Sequence, residues 1–73
     1  MNLREYNFKN IVEVKKEVLN FDGYKTYMIL TVLLKNGKEI TIKIFLPPSL
    51  QTKEEVKLYL LDKLLEFDRK LNV

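Results

Sequence analysis

Between residues 10 and 46 apolar and polar positions alternate at short range, and after residue 52 the apolar positions recur every three to four residues. The first pattern is that of half-buried strands, the second that of an amphipathic helix. Runs rich in Val, Ile, Leu, Thr and Tyr are separated by Asp22-Gly23 and Asn36-Gly37, dipeptides that tolerate the positive φ of a tight hairpin. Pro47-Pro48 closes the third run, because neither residue can donate to a strand ladder. Thr52-Lys53-Glu54-Glu55 fits a capping box that opens a helix. The predicted elements are strands over about 10–21, 24–35 and 38–46 and a helix over about 53–71. The fold class is therefore α+β: a three-stranded antiparallel meander packed by one C-terminal helix. Residues 1–73 make a single domain, with 1–9 an N-terminal segment of undetermined structure that carries Leu3, Tyr6 and Phe8.

Taking both turns as two-residue loops sets a register. Phe21 then faces Tyr24 and Val18 faces Tyr27, while Lys35 faces Lys38 and Leu33 faces Ile40. One face collects Val12, Val14, Val18, Tyr27, Ile29, Thr31, Leu33, Ile40, Ile42, Ile44 and Leu46, interrupted only by Lys16. A three-residue loop with a bulge at Gly37 is the alternative, and it places Met28, Leu30, Val32 and Leu34 opposite the isoleucines. A helix start at Asn10-Ile11-Val12-Glu13 also fits locally, but the β-branched content and the coherent register favour a strand.

On the helix, Val56, Leu60, Leu64, Phe67 and Leu71 form the stripe that covers the sheet. A second stripe, Leu58, Leu61 and Leu65, points about a third of a turn away and is left over, unless Leu3, Tyr6 and Phe8 cover it. In the two-residue-loop register the reverse sheet face is left over too. It shows Met28, Leu30 and Val32 in the middle, with Glu13, Lys15, Glu17, Glu39 and Lys43 around them. An apolar centre with a charged rim is the build of a protein interface.

Composition narrows the chemistry. The chain has no Cys and no His, which removes the usual thiol nucleophile, the commonest general base and the main transition-metal ligands. The two glycines are both used by turns, so no phosphate loop is available. Glu54 and Glu55 suit the positive end of the helix dipole, and Ser49 after two prolines suits a turn. No catalytic, cofactor or metal site and no small-molecule substrate is expected, and the protein is read as a non-enzyme. A cysteine-free small chain, with Arg4, Glu5 and Lys9 where a leader would be apolar, points to the cytoplasm. No run is apolar enough to span a membrane.

The formal charge is +3, and the helix contributes none of it: five bases and five acids balance from Lys53 onward. The excess lies in the first fifty residues, including Lys15, Lys16, Lys35, Lys38 and Lys43. Strand, Asn36-Gly37-Lys38, strand, then Thr52-Lys53-Glu54-Glu55 before a terminal helix resembles in layout the arm-binding domains of tyrosine recombinases, over roughly residues 24–65. That resemblance implies a sheet face laid on DNA, from which the acids expected on that face depart. A fainter likeness to double-stranded-RNA-binding domains lacks their basic start to the last helix. Neither assigns a family.

The leading expectation is a non-catalytic protein-interaction domain, self-associating as a homodimer or regulating another protein. Its contact residues would be Leu58, Leu61 and Leu65 on the helix, or Met28, Leu30 and Val32 on the sheet. The alternative is a nucleic-acid-binding module using Lys15, Lys16, Lys35, Lys38 and Lys43; a designed scaffold without biological function is a further one.

Overall fold

The computed structural model describes residues 8–71. Its elements are β1 (Ile11–Asp22), β2 (Lys25–Leu34), β3 (Glu39–Leu46) and α1 (Lys53–Lys70). The strands form one antiparallel sheet in the order β1-β2-β3, with Leu60 and Leu64 of α1 packed into the same core as Met28, Leu30 and Val32 of β2. Every boundary falls within one residue of the pattern-based expectation, because the turn dipeptides, the prolines and the cap are all local signals.

The register differs from the two-residue-loop expectation at the second hairpin. Gly37 takes a φ of 88°, its N–H donates to the Leu34 carbonyl at 2.9 Å, and Leu34 N–H donates to the Lys38 carbonyl at 2.8 Å. Lys35, Asn36 and Gly37 thus form a three-residue loop with a glycine bulge, tied further by Lys38 N–H donating to Asn36 Oδ1 at 3.1 Å. Leu33 consequently faces Glu39, and Val32, Leu30 and Met28 face Ile40, Ile42 and Ile44. A one-residue slip exchanges the two faces of a strand, so the residues expected on the reverse face are the core.

At the first hairpin Asp22 pairs with Lys25, leaving Gly23-Tyr24 as the loop, with a positive φ at Gly23 alone (62°). A glycine at the first central position marks a type II′ turn, one residue later than the Asp22-Gly23 loop expected. Pairing moves by two residues, so Val18 meets Ile29 rather than Tyr27 and the faces survive. Farther down β1 the pairing shifts again at Lys15 and at Val12. These bulges turn Val14 and Ile11 toward the helix, at 2% and 4% exposure, and leave Val12 62% exposed.

The predicted helix stripe holds. Leu60 and Leu64 are fully buried, and Val56, Phe67 and Leu71 pack beside them. With Leu30 and Val32 these two leucines are the largest fully buried side chains, each stabilising the fold by about 1.5–3 kcal/mol through burial. Thr52 caps the helix: its Oγ1 accepts from Glu55 N–H at 3.1 Å and donates to Glu55 Oε1 at 3.2 Å.

A polar staple closes the domain. Asp68, on α1 and 3% exposed, accepts from three successive main-chain N–H groups at the start of β1. Lys9 donates to Oδ2 at 2.7 Å, and Asn10 and Ile11 donate to Oδ1 at 2.8 and 2.9 Å. Asn10 answers from the other side, its Nδ2 donating to the carbonyls of Asp68 at 2.8 Å and Leu71 at 3.3 Å. The last turn of α1 thereby finds partners for carbonyls that a helix end leaves open. Phe8 packs against the core nearby; Leu3 and Tyr6 lie outside the described residues.

Candidate functional site

With α1 on one face, no element among the described residues covers the other face of the sheet. Side chains there follow from the pairing: odd-numbered residues of β2 point away from the helix, and their cross-strand partners join them. Three central rows result: Asn20-Tyr27-Phe45, Val18-Ile29-Lys43 and Lys16-Thr31-Thr41. These nine residues include two lysines and two aromatics and no acid. Acids stand at the ends, Asp22 opposite Lys25 at the hairpin end and Glu13 and Glu39 flanking Leu33 at the other. Glu17, expected to interleave with the lysines, stands opposite Leu30 and so belongs to the helix side.

The aromatic row is organised by cations. Tyr27 and Phe45 meet edge to face, with centroids 5.7 Å apart at 61°. Lys43 Nζ lies 4.2 Å from the Tyr27 centroid and 5.2 Å from that of Phe45, and Lys25 Nζ lies 5.7 Å from Phe45. Such contacts are worth about 0.5–1 kcal/mol at exposed sites, enough to hold the ammonium groups beside the rings while leaving them in water. Phe45 itself is 51% exposed. The patch continues over the β3 edge, where Phe45 and Tyr59 of α1 line shared grooves and Lys63 Nζ lies 5.4 Å from the Tyr59 ring.

The residues expected to carry function divide accordingly. Met28, Leu30 and Val32 are 7%, 0% and 0% exposed; they are core beneath α1, and of the three only Met28 reaches a surface cleft. Leu58 is 54% exposed, and Leu61 and Leu65 are half-buried on the same flank of the helix. Of the lysines, Lys16 and Lys43 come together on the open face. Lys15 sits at a β1 bulge and pairs with Glu39 at 3.2 Å, both side chains about half exposed, a surface pair of small value. Lys35 and Lys38 stand apart at the exposed second hairpin, beside Glu39. Sequence reasoning missed Lys25 and the Tyr27–Phe45 pair, because the two-residue loop put those rings on opposite faces. Phe21, expected to face Tyr24, stands opposite Thr26 on the helix side.

A separate apolar cleft of about 500 Å³ opens at the sheet end nearest the N-terminus of α1, lined by Leu19, Phe21, Met28, Leu46, Leu50 and Val56 among others. Phe21 is 74% and Leu19 50% exposed there. No helix among the described residues is long and apolar enough to cross a membrane, and they contain no cluster of three or more metal-ligating side chains. No protein-family model matches the sequence, and comparison with curated proteins and with solved structures returns no match.

Proposed function

We propose that this protein is a non-catalytic binding module that engages nucleic acid through the open face of its sheet. The observation that carries the reading is the acid-free central surface of the sheet, where Lys43 stands over the Tyr27–Phe45 pair and Lys16 lies two rows away, with Lys25 reaching Phe45 from the hairpin end beside Asp22. A basic surface without interleaved acids is what a phosphate backbone requires, and exposed rings beside it add contact area. The lack of His and Cys supports a binding rather than a catalytic role, and the cysteine-free chain supports work in the cytosol.

Titration of fluorescently labelled oligonucleotides at two salt concentrations tests this. Three lysines neutralising one phosphate each give a log–log salt slope of roughly −2.1 to −2.7, so raising salt from about 50 to about 200 mM weakens binding roughly 20- to 40-fold. The Lys16→Glu, Lys43→Glu double variant should lose the affinity while keeping its circular dichroism spectrum. No binding at the lower salt, or binding indifferent to both changes, would overturn the proposal.

A second reading, self-association as a homodimer or capture of another protein, is favoured by the exposed Leu58 and by Leu19 and Phe21 at the apolar cleft. Light scattering over a hundredfold dilution tests the homodimer, which requires a concentration-dependent mass. A monomer throughout would remove self-association.

A further inference from the structure

We infer that the nucleic acid taken by the open face is single-stranded, with an unpaired base stacked on Phe45 and the strand leaving over the β3 edge toward Tyr59. This rests on the nucleic-acid reading above and narrows it. In a duplex the base faces are occupied by their neighbours, so a half-exposed phenyl ring on a polar sheet has no partner there; phosphate contacts alone would need only the lysines. Phe45 is such a ring, 51% exposed on an edge strand, with Lys25 and Lys43 ammonium groups 5.7 and 5.2 Å from its centroid. A base on this ring would have its flanking phosphates within reach of both cations. Stacking is also tolerant of base identity, since every base has a π-face.

The surroundings fix a direction. Inward from Phe45 lies Tyr27, whose ring already carries Lys43 at 4.2 Å, and beyond it Asn20 in the same row. Outward, Tyr59 shares two grooves with Phe45, and Lys63 stands over its ring at 5.4 Å while pairing with Glu66 of the same groove at 3.5 Å. Aromatic rings thus run across the strands rather than along them, with Lys25 and Lys43 as the cations beside the platform. Thr31 and Thr41, paired across the adjacent strands, add hydroxyls that both donate and accept hydrogen bonds on the same face.

Binding of labelled oligothymidylate and oligouridylate is compared with a mixed-sequence duplex of equal length, for the unaltered protein and for Phe45→Leu. The leucine keeps the apolar bulk and removes the π-face. Both single strands should bind more tightly than the duplex, and Phe45→Leu should weaken them by roughly 5- to 150-fold, the range of one base–aromatic stack. Duplex binding should stay unchanged. Binding should also quench the tyrosine emission, and Lys43→Gln should reduce the salt slope by about one phosphate contact. If single strand and duplex bind alike with a normal salt slope and Phe45→Leu changes neither, the single-strand assignment fails while the nucleic-acid reading stands. Should nothing bind at low salt, both fail together.

Discussion

Replacing Asp68 with alanine removes the shared acceptor of three consecutive main-chain donors, and the structure sets the size of the effect. The Asn10 and Ile11 N–H groups donate to it from buried positions, whereas Lys9 is itself exposed and its N–H can turn to water. A hydrogen bond to a charged acceptor contributes about 1.5–3 kcal/mol, and a buried donor stranded without one costs a similar amount. Two such donors give an expected loss of about 3–6 kcal/mol. A chain of 73 residues has a total stability of about 4–11 kcal/mol, so the variant should lose a large fraction of it. Urea unfolding followed by far-UV circular dichroism reads the change as a lower midpoint at unchanged slope. Native-state amide exchange locates it, since protection at Asn10 and Ile11 should fall before that of the central strand. Asp68→Asn should be milder, because one carbonyl oxygen remains to accept while the new amide faces a donor. A loss below about 1 kcal/mol, with protection at Asn10 and Ile11 intact, would show that something other than this carboxylate holds the start of β1 to α1.

The assignment of faces can be tested by paired truncation on β2: Leu30→Ala should cost about 3–5 kcal/mol as a cavity beneath the helix, and the half-buried Ile29→Ala distinctly less. Equal costs in denaturant titrations would contradict the register. Gly37→Ala meets no atom within 4 Å, yet should destabilise by about 1–2 kcal/mol because an alanine is strained at a φ of 88°; a neutral result would mean the loop readily adopts another turn.

The candidate site was legible as residue types but not as an arrangement. Lys16 and Lys43 were recognisable as surplus cations, yet their company on the open face depends on which way β2 is turned. Both alternating sets of β2 are apolar, Tyr27-Ile29-Thr31-Leu33 and Met28-Leu30-Val32-Leu34, so alternation gives no preference between them. The purely aliphatic make-up of the second set was the available hint. Asp68 had even less to announce it, as its partners lie 57 to 59 residues away and an acid near a helix end usually faces solvent.

By itself the sequence determined the three strands, the helix, their order and their boundaries, because turns at glycine, termination at proline, capping at Thr52 and the helical stripe are decided within a few neighbouring residues. Only the tertiary structure decided the three-residue loop at Gly37, the bulges of β1, the clustering of Tyr27 and Phe45 with lysines, and the staple at Asp68. The loop is local, but which of its two forms is taken depends on which face of β2 packs against α1, and the other features join segments distant in the chain. Each is selected by how well the sheet and helix bury leucine and isoleucine together while satisfying buried donors such as those of Asn10 and Ile11, a balance that no short stretch of sequence contains.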